Sequence, residues 1–295
     1  MRIADYSRFN AYTKSMGGMK SMLDHLQQQI SSGKKILSAS DDPIGAATVT
    51  SIELGAKINE QYRSISEKLK INAEFYNTSI SSINELLTRA KEIAISQASS
   101  NTNSDTRAAA AEEVMGIIES LSALGNTKVG DVYIFGGKKS NIPPYTLEDD
   151  YSVTFNGTAD VPSVLIDKGI KMDVGISGEF VFNNDSKNVF DALVKFKVGL
   201  ETNKTEDVKQ AITDIDNCLN GTTTALTKAG VFMNRVDAVI TNIDERNTSL
   251  SLVESEIADV DIVSAITDYN NLITSYQAFS YTIAKIQNLS IMNYL

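Results

Sequence analysis

The sequence predicts a mainly α protein, an elongated rod of long helices with a heptad arm at each end and a small β-rich insertion. Three observations predict it. Apolar residues at both ends step by three and four without a skipped position. A helical pattern of roughly 50 residues follows the first arm, too long for an ordinary globular helix. Between about residues 128 and 183 the period changes to the alternation and turn chemistry of short strands.

The first arm places Phe9, Tyr12, Met16, Met19, Leu23, Leu26 and Ile30 on one helix face, and Gly33 sits where a helix C′ glycine belongs. Lys34 and Lys35 complement the negative end of that helix. The next helix opens with Asp42 as N-cap and Pro43 at its first position, where the missing N–H costs nothing. Its apolar pattern runs through Ile44, Leu54, Ile58, Tyr62, Ile65, Leu69, Tyr76, Ile80, Ile83, Leu87, Ala90 and Ala94, with Asn72 as a polar position able to fix register. The cluster SSNTNSDTR is a turn, from which Ser104 or Asp105 caps a third helix that ends at Gly125.

GDVYIFGG (Gly130–Gly137) reads as a strand, NIPPY as a break, and YSVTFNGT as a strand closed by the hairpin signal Asn-Gly. Asp185 or Ser186 then opens a short helix, followed by a long one from about Thr205 to Leu252. The second seam consists of Ala265, Tyr269, Leu272, Tyr276, Phe279, Ile283 and Ile286. Three regions result: paired arms of residues 1–42 and 250–295, a long-helix region of 43–127 and 186–249, and a β-rich outer region of 128–185. The arms are complementary in charge. Residues 1–40 hold six basic side chains against two acids, and residues 250–295 hold five acids against Lys285. Apolar seams with opposite charge are expected to pair, within a chain or between chains.

Composition removes several functions. A net charge of −10 argues against a nucleic-acid partner. No apolar run approaches the length of a membrane span. The N-terminus has basic residues but no apolar core for a Sec signal peptide. One cysteine, Cys218, excludes an intramolecular disulfide and a cysteine-rich zinc site. One histidine, His25, off the seam, leaves no pair of the HExxH kind, and it reads as a solvated side chain. GDVYIFGGKKS fails as a phosphate loop, because Lys138 stands where its last glycine belongs. Asp41 and Asp42 resemble paired catalytic carboxylates, but Pro43 behind them marks them as helix-start acids. No catalytic, cofactor-binding or metal-binding constellation is expected.

The stretch SSGKKILSASDDPIGAA, flanked by such arms in a chain of this length, resembles the signature of the flagellin superfamily. There a terminal helix ends in S-[ST]-G-[KL]-[KR]-[IV], followed by two acids and a helix start of small residues. Pro43 after the acids, GDVYIFGG after the third helix and the ending NLSIMNYL are more similar to the hook–filament junction branch than to filament flagellin. The resemblance covers residues 1–142 and 186–295. It implies a structural subunit without enzymatic activity or cofactor, whose fourteen seam residues form subunit contacts around a structural turn at Gly33, Asp41, Asp42 and Pro43. It also implies other copies in a ring, a second hook-associated junction protein on one side, flagellin on the other, and an export chaperone. The implied location is the bacterial flagellum, reached by the flagellar type III route. The alternatives are filament flagellin itself, or a secreted adhesin or enzyme whose activity lies on the β insertion.

Overall fold

The computed structural model of the chain describes residues 2–99, 103–148, 151–184 and 187–292. The architecture is mainly helical with a small β-rich excursion, as expected. Helix α1 is Arg2–Ser32, α2 Pro43–Gln97 and α3 Ser104–Gly125. The excursion holds strands β1 (Lys128–Val129), β2 (Val132–Tyr133), β3 (Tyr145–Leu147), β4 (Val153–Phe155), β5 (Ser163–Asp167) and β6 (Ile170–Asp173). Helix α4 (Gly178–Phe182) and strands β7 (Asn183–Asn184) and β8 (Lys187–Asn188) complete it. Helices α5 (Val189–Glu201), α6 (Thr205–Ala258) and α7 (Ile262–Met292) follow. Each strand pairs only with its neighbour in sequence, in antiparallel two-stranded ribbons.

The chain divides into two units, one of residues 1–58 and 245–295 and one of residues 59–244. The second holds the main core. On α2, Leu69, Ala73, Tyr76, Ile80, Ile83, Leu87, Ala90 and Ala94 are buried at alternating steps of four and three. On α6, Val208, Ala211, Ile215, Cys218, Thr222, Ala225, Ala229, Phe232 and Val236 keep the same rhythm. This is the heptad spacing that lets two helices share one apolar seam. Helix α3 adds Val114, Ile118 and Leu121, and α5 adds Leu193 and Phe196.

An aromatic cluster docks the β excursion on this core. Tyr76 of α2 meets Phe135 edge to face at 5.4 Å, and Phe182 stacks on Phe190 at 5.1 Å. Tyr145 packs against Phe155, Phe182 and Phe190. The Tyr76 hydroxyl donates to the Ile134 carbonyl at 2.5 Å. That bond explains one departure from expectation. The strand expected over Gly130–Gly137 is confined to Val132–Tyr133, and Ile134–Gly136 wind into a 3-10 turn. The Ile134 carbonyl is taken by a side chain of the core and not by a neighbouring strand.

Other expectations change locally. Asn156-Gly157 is not a hairpin turn. The β3–β4 ribbon turns earlier, with Tyr151 at φ 64°, while Asn156 closes the ladder by donating to the Pro144 carbonyl at 2.8 Å. The cap of α3 is Asn103 and not Ser104 or Asp105; its Oδ1 accepts the Thr106 N–H at 2.8 Å. Asp185 and Ser186 lie outside the described residues, and α5 is capped by Asn188, which accepts the Phe190 N–H. Asn72 is only half-buried; the buried polar side chains of α2 are Asn59, Ser66 and Ser79. Helix α6 runs on to Ala258, past the expected end at Leu252.

A buried guanidinium ties three segments together. Arg107 of α3 donates to the Gln97 carbonyl at the end of α2 and the Ser99 carbonyl beyond it, to Thr205 Oγ1 at the start of α6, and to the carbonyl and side chain of Asn203.

The buried tyrosines predict alkaline sensitivity. Burial pushes Tyr76 up to about 12, whereas an unfolded tyrosine ionises near 10. The fold therefore favours the neutral phenol. Stability should be level below pH 10 and fall as pH rises from 10 towards 12, by up to about 2–3 kcal/mol from this side chain. Urea unfolding across that range should show the fall. Tyr76→Phe should lose about 1 kcal/mol at pH 7 through its missing hydrogen bond yet decline less steeply in alkali. Tyr145, also raised by burial, keeps the slope from vanishing. An equal alkaline decline in wild type and variant would contradict this account.

Candidate functional site

The turn singled out in the sequence is a corner built from its own backbone. Helix α1 stops at Gly33, whose φ of 71° a glycine adopts without strain and whose N–H donates to the Gln29 carbonyl at 2.9 Å. Asp41 Oδ2 accepts the N–H groups of Leu37 and Ser38 at 3.0 and 2.9 Å. The Ser38 N–H, chief among its partners, holds this carboxyl below the usual carboxylate range. Asp42 Oδ1 accepts the N–H groups of Ile44 and Gly45 at 3.1 and 2.9 Å, and Pro43 opens α2 behind it. Gly45 is buried against this cap: a Cβ there would lie 2.5 Å from Asp42 Oδ2 and 2.6 Å from Ile36 Cδ1. Both carboxylates thus face backbone donors, the geometry of a cap.

A second corner, between α6 and α7, is stitched to the first. The Lys35 N–H donates to the Ala258 carbonyl at 2.6 Å, and the Val260 N–H donates to the Gly33 carbonyl at 2.9 Å. Lys34 Nζ lies 2.7 Å from Asp259 Oδ1 and 3.5 Å from Glu254. The hydrogen bond from Lys34 holds the Asp259 carboxyl below its usual range. Asp261 caps α7, accepting from Val263 and Ser264 at 3.0 and 3.1 Å. Sequence reasoning passed over this corner. Its signal was Ala-Asp-Val-Asp, a capping acid just before an apolar period.

The two seams lie on helices that pack against each other, α1 along α7. Tyr12 meets Phe279 edge to face at 6.0 Å. Leu26 and Leu272 line one open groove with Met22, His25, Asp268 and Asn271. Ala265 is buried. Tyr12, Met16, Met19, Leu23, Leu26, Ile30, Tyr269, Leu272, Tyr276, Phe279 and Ile283 are half-buried, and Phe9 and Ile286 are exposed. One helix therefore covers only part of the other's apolar face. Further apolar side chains of this unit stand in solvent, among them Ile44 at 80% exposure, Val263 at 77% and Tyr281 at 71%. Ile44, Leu54 and Ile58 continue the α2 pattern read in the sequence, yet the buried positions beside them are Gly45, Ile52 and Asn59.

The remaining chemical candidates are packed or capped. His25 is half-buried in the α1–α7 groove and not fully solvated. Cys218 is buried in the α6 seam, and burial pushes its thiol up to about 11, away from the reactive thiolate. Among the described residues, no group of three or more His, Cys, Asp or Glu side chains could hold a metal ion. No described helix is long and apolar enough to cross a membrane.

Comparison with known proteins matches both ends of the chain. Residues 5–140 match the bacterial flagellin N-terminal helical region, and residues 212–295 match the bacterial flagellin C-terminal helical region. Flagellar hook-associated protein 3 of Salmonella typhimurium is 23% identical, over 99% of this chain and 98% of its own. Its Escherichia coli namesake is 24% identical over 90% of each. The crystal structure of Bacillus cereus FlgL shares the fold with a TM-score of 0.60 at 21% identity, covering 70% of this chain and 99% of that one. Carrying both terminal regions in one chain, the protein belongs to the flagellin family, and to the kind represented there by flagellar hook-associated protein 3.

Proposed function

We propose that this protein is a structural subunit of the bacterial flagellum at the junction between hook and filament, working by helical packing of its terminal arms and not by catalysis. Hook-associated protein 3 relatives of matching length support the location. One observation carries the packing role. The unit of residues 1–58 and 245–295 buries few apolar side chains, Ile52, Ala258 and Ala265 among them, while Tyr6, Met22, Ile44, Leu54, Leu252, Val263 and Tyr281 are mostly exposed. Apolar surface on that scale marks an interaction site. In this reading the fourteen seam residues and the stitched corner form the contact with neighbouring subunits. The neighbours are other copies of the chain in a ring, a second hook-associated protein on one side and flagellin on the other. An export chaperone covers the apolar arms before assembly, and the flagellar type III route delivers the chain.

Three measurements follow. Leu272→Asp places a charge in the seam, which costs several kcal/mol once the contact is dry and the charge unpaired. The purified monomer should keep its melting temperature, set by the core of residues 59–244, while cells should release unassembled flagellin and swim poorly. Asn270→Asp, exposed and outside that groove, should be nearly silent. Unimpaired swimming with Leu272→Asp would defeat the proposal for this arm.

Hydrogen exchange should find weak protection over residues 6–30 and 265–286 in the monomer and a large increase on assembly. Protection equal to that of α2 in the free monomer would make the seam an ordinary intramolecular core.

Asp42→Ala should cost about 1 kcal/mol, the worth of an N-cap, with no change in metal binding by calorimetry. Stoichiometric Ca²⁺ or Mg²⁺ uptake abolished by this substitution would turn the corner into a metal site.

A further inference from the structure

The apolar contact between α2 and α6 repeats every seven residues on both helices. Sliding one helix past the other by a heptad therefore sets apolar side chains against apolar side chains again. Such a slip displaces α6 by about 10 Å along α2. The heptad period alone does not choose among these alignments.

Beside the seam runs a ladder of ion pairs. Arg63 Nε lies 2.9 Å from Asp244, Lys70 Nζ 2.8 Å from Asp237, and Lys91 Nζ 2.6 Å from Asp216. Seven residues forward on α2, from Arg63 to Lys70, correspond to seven back on α6, from Asp244 to Asp237. A further 21 forward, to Lys91, correspond to 21 back, to Asp216. In every rung the base is on α2 and the acid on α6. Between the second and third rungs Thr222, buried in the seam, gives its hydroxyl to Asn84 Oδ1.

A slip in either direction keeps one rung and loses the rest. In one direction Lys70 comes opposite Asp244, Lys91 opposite Thr223, and Asn84 opposite Ala229. In the other, Arg63 comes opposite Asp237, Lys91 opposite Lys209, and Asn84 opposite Ile215. Each slipped state strands a polar amide against an apolar side chain, and one sets two lysines face to face.

We infer that, beyond the Arg107 clamp at one end of the pair, the three ion pairs and the Asn84–Thr222 bond are register-determining contacts of this helix pair, selecting one alignment from a seam that admits neighbours one heptad away. Their role is selective: they exclude the slipped pairings that a purely apolar seam would populate.

Spin labels at Thr78→Cys and Thr241→Cys, both exposed and off the ladder, in a Cys218→Ala background, report the alignment through pulsed dipolar spectroscopy. With the native ladder one distance is expected. Arg63→Gln, Lys70→Gln, Lys91→Gln and Asn84→Ala together should add a second population, its axial separation changed by about 10 Å. A single unchanged distance in that variant overturns the inference. Should that variant not fold, exchanging the signs of two rungs decides. Lys70→Glu and Lys91→Glu alone should lose the native distance, and adding Asp237→Lys and Asp216→Lys should restore it. Survival of the native distance with the two glutamates alone, or its loss in the fully exchanged protein, overturns the inference.

Discussion

The structure depends on one constraint: two helices more than 50 residues long carry apolar faces, over residues 69–94 and 208–236, that must be covered. The alternating steps of α2 and α6 in the core of residues 59–244 satisfy it. Once that seam closes, the other elements have a surface to rest on. Helices α3 and α5 complete the cover, and the aromatic cluster of Phe135, Tyr145, Phe182 and Phe190 pins the β excursion over Tyr76. None of the two-stranded ribbons is large enough to stand alone in water. They are ordered because their aromatic side chains reach a core made by helices.

The helical pattern was plain in the sequence because heptads are written in the spacing of large apolar residues. The start of α2 at Pro43 and the end of α1 at Gly33 could be read from the chemistry of single residues. What sequence reasoning lost were places where a distant group decides. The Tyr76 hydroxyl captures the Ile134 carbonyl and curls an expected strand. Asn156 completes a ladder where Asn-Gly promised a turn. The second corner was missed for a similar reason: Asp259 and Asp261 gain meaning only when Gly33, Lys34 and Lys35 arrive from the other end of the chain. The apolar pattern of α2 was read as one continuous stripe. Yet Ile44, Leu54 and Ile58 stay in solvent, and period alone does not say which residues a partner covers.

The two units divide labour along physical lines. Residues 59–244 hold most of the buried apolar side chains, although Ile71, Phe75, Ile95 and Val231 remain among their exposed ones. The stitch between the corners is held mainly by backbone bonds, since Lys34, Asp259 and Glu254 are substantially exposed and an exposed ion pair contributes only about 0–1 kcal/mol. Half-covered helices joined by such a stitch leave apolar surface for the neighbours in the proposed assembly to cover.

The long pairing also governs timing. Arg63 and its partner Asp244 are separated by 181 residues in sequence, and Lys34 and Asp259 by 225. Contacts of such high contact order close slowly, because loop entropy must be overcome before any contact forms. A polypeptide that emerges from its N-terminus therefore presents α2 long before α6 exists to meet it. During that interval α2 has α3 but not α6 to pack against, and closure of the long seam waits for the last third of the chain.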